Sequence, residues 1–303
     1  MQPLVGWPVT AAGAVLVALA LRDIFHTLWR PTGRGAISRL VMAAVWRAGR
    51  RGRRQGPTAG GLLSGPLAMV LVVFTWTVLV LVGGALVHWP HLDGGFSLAS
   101  DLDPTPRGGF LDGLYVSLVT TATLGLGDWV PTAGWLRIVV PVQALIGFAL
   151  LTAAVTWVLQ LYPALIRRRS LAVRIATLRE VDTAAMLASP DGTLAVQVLD
   201  GLASSLAQAR VDVTQYAETY YFRDYSADAA LPAMVTVAAD LADAARRAPS
   251  GDVRLAGDLV AHALDDYLGV LDQQFLGVDG DGAERMRAYA ADHGFGAGER
   301  LRR

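Results

Sequence analysis

Residues 110–132 read FLDGLYVSLVTTATLGLGDWVPT, and this stretch decides how the rest of the chain is read. Residues 110–122 have the make-up of a short apolar helix. Thr123-Leu124-Gly125-Leu126-Gly127-Asp128 follows, then a turn into another long hydrophobic run. Two glycines at alternate positions, led by threonine and flanked by leucines, make a poor membrane helix. They suit an irregular, extended backbone whose carbonyls turn toward a common target. At membrane depth, non-helical backbone is tolerated only where it is buried in protein or lines an aqueous cavity.

Working outward, three hydrophobic runs, uncharged but for Arg22 and Asp23 late in the first, are long enough to cross a hydrocarbon layer of ~30 Å. They are Met1 to about Leu28, Pro66 to Trp89, and Ile138 to Ile166. In the first run, Ala18-Leu19-Ala20 has the look of a signal-peptidase site. No positive charge precedes it, however, and the arginines come after the apolar run, so we read an uncleaved span. Arg30 to Arg54 holds eight arginines and no acid, and Arg167-Arg168-Arg169 follows the third run. The positive-inside rule puts both basic stretches in the cytoplasm, the N-terminus outside, and the 110–132 loop on the outer side.

Composition agrees with a membrane part joined to a soluble one. The 303 residues are 53% hydrophobic, with a mean hydropathy of +0.40. Zero net charge conceals a split. Residues 1–169 carry 14 Arg against 6 Asp (+8), and residues 170–303 carry 12 Arg against 20 acids (−8). Cysteine is absent, which excludes disulfides and thiolate metal sites. Lysine and asparagine are absent too, a bias that fits a GC-rich bacterial genome and leaves no N-glycosylation site.

Within the basic loop, Ile37, Leu40, Val41, Ala44 and Val45 repeat at helical spacing, with Arg39 and Arg47 off that face. An amphipathic helix on the inner membrane surface follows, with Arg39, Arg47 and Arg50 toward lipid. It serves either as a topology signal and anchor or as a site for anionic headgroups that tunes the protein. Gln55 to Gly65 is a Gly/Pro-rich connector. His88 and His91 flank Trp89 at the end of the second run and read as interfacial residues, a metal or proton sensor being the sharper alternative. Pro90 to Gly109 is an outer loop whose Asp93, Asp101 and Asp103 face Arg107. They are either solvated or concentrate cations.

The stretch Thr123–Asp128 resembles the pore loop of the potassium channel superfamily, whose filter usually reads T-V-G-Y-G-D. Thr123, Leu124, Gly125, Gly127 and Asp128 match or conservatively replace that pattern, and Leu126 stands where tyrosine is usual. GLGD is also seen in the second pore loop of some two-pore-domain channels. The resemblance covers about a third of the chain. It implies an all-α membrane protein with a potassium-channel-like pore domain, an extra N-terminal span and a helical cytoplasmic domain. The expected division is an N-terminal span over 1–30, the basic loop over 31–65, the pore domain over 66–166 and the acidic cytoplasmic domain over 167–303. Inside the pore domain are an outer helix 66–89, a pore helix 110–122, a filter 123–128 and an inner helix 134–166.

By the same resemblance, the carbonyls of Thr123, Leu124, Gly125 and Leu126, with the Thr123 hydroxyl and Gly127 completing the filter, would form stacked K⁺ sites. Such a filter replaces a hydration shell by fixed oxygens. One chain supplies one loop and a ring needs four, so a homotetramer is implied. Leucine at 126 can pack but cannot donate the hydrogen bond of the usual tyrosine, which points to a looser filter. Val119 falls where some members carry a glutamate. Tyr115 either hydrogen-bonds Asp128 or simply packs. Gly147 matches a hinge glycine of many inner helices, or else is a close-packing position. Thr152 and Thr156 face either a cavity or their own backbone. Leu151, Val155 and Leu159 are gating candidates for the lower pore, where apolar rings gate by dewetting. Pro163 is expected to end or kink the third span.

Residues 170–303 read as helices with short breaks. Val260, Leu264, Tyr267, Leu268, Leu271 and Phe275 form a core stripe at helical spacing. Tyr216, Tyr220, Tyr221, Phe222 and Tyr225 form an aromatic cluster. Asp191-Gly192, Pro249-Ser250-Gly251 and Asp279-Gly280-Asp281-Gly282 punctuate the helices. The last opens like a calcium loop, yet Ala290 stands where a bidentate glutamate is needed, so no calcium site is expected. No nucleotide-binding G-x-G-x-x-G is present, and Gly294 to Arg303 reads as a tail.

The expected function is passive, K⁺-selective transport by a bacterial inner-membrane tetramer with the C-terminus in the cytoplasm. No cofactor, soluble ligand, nucleic acid or enzyme activity is expected, K⁺ being the cargo and the bilayer the other partner. The rivals are a weakly selective cation channel, motivated by Leu126, and a non-conducting membrane scaffold or receptor. A four-loop potassium-uptake transporter fits less well, because one chain holds one loop with two filter glycines.

Overall fold

The computed structural model describes residues 3–29, 35–53, 64–98, 108–181, 183–189, 192–224 and 226–295. Outside them lie Arg30, Arg34 and Arg54, most of the connector before Gly65, Asp101, Asp103, Arg107, Asp191, Tyr225 and nearly all of the tail after Gly294. The chain divides into two compact units, residues 1–41 with 68–159 and residues 42–67 with 160–303.

The first unit holds the helices expected to cross a membrane. Helix α1 spans Pro3–Leu28, α2 starts at Ala36 and runs to Arg53, and α3 spans Ser64–His88. After a 3-10 turn, the single turn α4 (Leu92–Gly95) leads into β1 (Phe96–Leu98). The pore-loop helix α5 is Phe110–Thr121, β2 is Trp129–Pro131, and α6 is Leu136–Glu180. By length and composition, α1, the α3–α4 segment and α6 are each apolar enough to span a bilayer. The protein is therefore an all-α membrane protein with three candidate spans.

Helix α1 packs on α3 through small residues. A side chain at Gly13 would run into the Gly83 carbonyl, and one at Gly83 would meet Val17 and the Gly13 carbonyl. Small residues let two backbones approach where no hydrophobic drive separates helix from lipid. At the other end of α1, buried Asp23 is the hub of a polar network. Its carboxylate accepts from the Ile37 and Ser38 amides at 2.8 and 3.1 Å, the Ser38 hydroxyl at 2.5 Å and Trp76 Nε1 at 2.8 Å. Two of these donors are free amides in the first turn of α2, so Asp23 caps that helix from a distance. Gly35 is needed because a side chain there would overlap the carboxylate.

Helix α6 continues past Pro163, where the sequence suggested an end or a kink, so the helix does not end there. Proline removes one amide from the ladder, but Leu161, Ala164 and Leu165 around it are buried, and the flanking turns hold. At 45 residues the helix is about 68 Å long, more than twice the hydrocarbon thickness. Against the expected 134–166, the helix starts at Leu136 and continues past 166 to Glu180.

The second unit is a helical domain with its own core. Helices α8 (Thr193–Gln215), α9 (Leu231–Arg246), α10 (Gly251–Leu271) and α11 (Gly282–His293) pack together, and the short α7 (Thr183–Ala188) joins them. Helix α10 packs against both α8 and α9, and Leu199, Leu202 and Leu206 of α8, Met234, Val235 and Ala238 of α9 and Val260, Leu264 and Leu268 of α10 are all buried. The predicted stripe on α10 is buried from Val260 to Leu271, and Phe275 stacks on Tyr220 with centroids 3.9 Å apart. Buried Arg168 donates to the Thr219 and Phe222 carbonyls and to Asp224, which also accepts from Arg169. Asp281, in the Asp-Gly repeat, caps α11 by accepting from the Glu284 amide at 2.7 Å.

The part of α2 in this unit corrects one expectation. Arg50 pairs with Asp292 of α11, which also accepts from Trp46 Nε1 and the Tyr220 hydroxyl. Arg50 thus serves an intramolecular clasp, whereas Arg39 and Arg47 stay exposed. The side of α2 facing protein is Ser38, Met42 and Trp46, which leaves Leu40 uncovered on the other side.

Candidate functional site

The pore loop begins with a helix end. Asp112, in the first turn of α5, accepts from the Gly108 and Gly109 amides at 2.8 and 2.9 Å and fixes where the helix starts. Gly113 lies so close to Ala85 and Trp89 that a side chain would not fit, which seats α5 against the end of α3. At its other end the Ala122 amide bonds Leu118, that of Thr123 bonds Thr120, and that of Leu124 bonds Val119. The negative end of the helix dipole therefore lies beside Thr123.

Beyond Thr123 the backbone alternates. Thr123, Gly125 and Gly127 have φ of +57°, +54° and +79°, and neither Leu124 nor Leu126 has a positive φ. Alternation between left- and right-handed residues turns successive peptide groups to the same side, the converse of a strand. Glycine meets this demand at 125 and 127 without a steric penalty. Thr123 is one of two non-glycine residues with positive φ among those described, so the first position carries backbone strain.

The exit from the loop is pinned. Tyr115 lies within electrostatic reach of Asp128. Trp129 then enters β2, which pairs antiparallel with β1 in the register Phe96↔Pro131, Ser97↔Val130, Leu98↔Trp129. The Thr132 amide adds a bond to the Gly95 carbonyl. Leu92, Phe96, Val116 and Leu136 form a small core under this corner, with Trp89, Trp129 and Trp135 against it. His91 bonds Thr10 of α1, packs at a tilt against Trp7 and meets Trp135 edge to face.

Behind the loop lies a polar network that the sequence reading missed. Gln143 of α6 joins His88 of α3 (Oε1 to Nε2, 2.7 Å) to Ser117 Oγ (2.8 Å) and Thr121 Oγ1 (2.9 Å) of α5. Ser117 Oγ in turn donates to the Leu81 carbonyl at 2.8 Å. His88, Gln143 and Ser117 are all buried, so His88 is a core residue and not an interfacial one. A lone amide in an apolar run, as in Val140-Pro141-Val142-Gln143-Ala144-Leu145, was the available signal. In a membrane span such a group is retained where it finds partners inside the protein.

Gly147 sits one turn beyond Gln143, and a side chain there would overlap the Thr121 carbonyl. Its role is close packing on the end of the pore-loop helix, the second of the two readings. Thr152 donates back to the Phe148 carbonyl at 3.0 Å. Leu151, Val155 and Leu159 share one face of α6, each more than half exposed in the single chain. Leu124 and Leu126 are 62% exposed each, so within one chain no packing covers the sides of the loop.

Among the described residues, no group of three His, Cys, Asp or Glu side chains could hold a metal ion. Residues 71–162 match the sequence profile of a family described as an ion channel (Ion_trans_2). The chain is also similar to an uncharacterized membrane protein of Bacillus subtilis (strain 168), YdjJ, at 29% identity over 171 residues. That alignment covers 55% of this chain and 48% of YdjJ, so the chain spans about half the length of that relative. No solved structure matches it. With three candidate spans, a pore loop between the second and third, and an ion-channel profile over residues 71–162, this part of the chain is similar to ion channels.

Proposed function

We propose that four copies of this chain assemble around the loop 123–127 and pass K⁺ down its electrochemical gradient, through sites lined by backbone carbonyls. The observation that supports this reading is the alternation in the sign of φ, positive at Thr123, Gly125 and Gly127 and not at Leu124 or Leu126, the pattern a loop needs to turn consecutive peptide oxygens to one side. A row of fixed oxygens can replace the hydration shell of a cation. The adjoining negative end of α5 favours the same charge. The exposed Leu124 and Leu126 side chains then become contacts between neighbouring copies. By the charge rule the loop opens to the outside of a bacterial inner membrane, with the second unit in the cytoplasm. Leu151, Val155 and Leu159 face the lower pore, where an apolar constriction controls wetting.

Leu126 favours a second reading, a cation channel of weak selectivity, because it offers no hydroxyl to brace the loop. Flux from liposomes containing the full-length protein, with K⁺ and Na⁺ gradients tested separately, decides between them. K⁺ flux that exceeds Na⁺ flux and disappears in Gly125→Asp is the expected result. Equal fluxes that also disappear in the variant support the weakly selective reading. A K⁺ flux unchanged by Gly125→Asp would exclude this loop as the route.

A further inference from the structure

Gln143 is a buried amide with every polar atom engaged, and the direction of each of its bonds can be deduced. The Leu81 carbonyl can only accept, so Ser117 Oγ donates to it and must itself accept from Gln143 Nε2. The Gln143 NH₂ group therefore points toward α5, where Thr121 Oγ1 takes its other hydrogen. Oε1 is left as an acceptor facing His88 Nε2, which must carry a hydrogen. His88 Nδ1 then has no partner among the described residues, as expected of a ring whose single task is to donate through Nε2. The chain of bonds runs one way, from α3 through α6 into α5, and reaches Thr121, two residues before the first residue of the loop.

Space has been reserved for this arrangement. At Gly84 a side chain would overlap both Gln143 Nε2 and Ser117 Oγ, and at Gly147 it would overlap the Thr121 carbonyl. Thr121 is thus gripped twice by α6, at its hydroxyl by Gln143 and at its carbonyl by the flat surface of Gly147. Beyond Thr121, Leu124 and Leu126 offer no polar side chain, and Val119 is apolar.

We propose that Gln143, oriented by His88, is a positioning residue for ion selectivity. It fixes the inner end of the loop through Thr121 and does the work that a hydroxyl at position 126 would otherwise share. This inference rests on the function proposed above. Loosening Thr121 lets the carbonyls relax toward a smaller ion, so selectivity is lost before conduction is.

The test compares K⁺ and Na⁺ flux in liposomes for wild type, Gln143→Leu, Thr121→Val, Thr121→Ser and His88→Gln, with the assembly size of each checked by gel filtration. Thr121→Val keeps the shape of the side chain and removes the hydroxyl that accepts from Gln143, so it serves even where Gln143→Leu does not fold. The K⁺:Na⁺ ratio should fall about tenfold in Thr121→Val and Gln143→Leu, as expected for losing a buried hydrogen bond. Thr121→Ser keeps the hydroxyl, and His88→Gln keeps an N–H donor for Gln143, so both should retain the wild-type ratio. A Thr121→Val protein with wild-type assembly and an unchanged ratio overturns the proposal and leaves the channel reading standing. Lower total flux at an unchanged ratio in both Thr121→Val and Gln143→Leu overturns it too, since a merely structural role predicts that. A wild type without K⁺ flux sensitive to Gly125→Asp overturns both readings together.

Discussion

The two units of this chain bury polar groups in different ways. In the first unit the hubs are sparse. Neutral His88, Gln143, Ser117 and Thr121 are joined end to end, and Asp23 is surrounded by four donors from the protein. In the second unit the hubs are ion pairs, with Arg168 and Arg169 on Asp224, and Arg167 on Asp212. A charge in hydrocarbon has no water to fall back on, whereas one at the edge of a soluble bundle keeps partial access to it. The units differ in completeness too. The helices of the second unit bury their apolar faces on one another, while the first leaves Leu124, Leu126, Leu145 and Phe148 largely uncovered. Lipid satisfies some of that surface, but the sides of a polar loop need protein. On the assembly proposed above, other copies of the chain cover the sides of the loop in the first unit.

Substitutions can break this contrast at several points. The largest effect is expected at Arg168. Replacing it with alanine strips the Thr219 and Phe222 carbonyls of their donor and should destabilise the second unit by about 3–5 kcal/mol in denaturant melts of the full chain. Melts unchanged by Arg168→Ala would mean that the charged hub is ornamental. Next comes Gly147→Ala, which forces α6 off the Thr121 carbonyl at a cost of about 1–3 kcal/mol, typical of overpacking. Gly134→Ala has open space around it and should melt like wild type, so equal loss in both would contradict the close packing. Ser38→Ala removes one of the donors to Asp23 and should cost about 1 kcal/mol.

A smaller, pH-dependent effect belongs to Tyr220. Burial, with the Asp292 carboxylate beside it, pushes its phenol well above the usual tyrosine range. The folded form therefore keeps its proton after the unfolded chain begins to lose one, at about pH 10. The contribution is complete below that pH and declines as the pH rises past it. Tyr220→Phe should lessen the alkaline loss of stability. An alkaline melting profile identical to that of wild type would remove Tyr220 from the account.

The sequence made the spans legible because membrane crossing depends on composition over some twenty consecutive residues. The loop was legible for a related reason: alternate glycines at 125 and 127 are a local demand of backbone geometry. What was not legible came from long-range pairing. His88, Ser117 and Gln143 are far apart in sequence, and nothing local says that an outer-helix imidazole will meet an inner-helix amide. Arg50 read as lipid-facing because its partner, Asp292, lies 242 residues away. Pro163 read as an end or a kink, and the end did not follow, because a single missing hydrogen bond is visible in a sequence and the burial of Leu161 and Leu165 is not.

The most direct test of the central claim is the mass of the intact full-length complex, taken by native mass spectrometry from lipid nanodiscs. Four copies of the 32.1 kDa chain, about 128 kDa of protein by multiplication, are expected if the exposed sides of the loop are closed by neighbours. A complex of one or two copies would leave the loop open on its sides and would contradict a carbonyl-lined pore built from this chain.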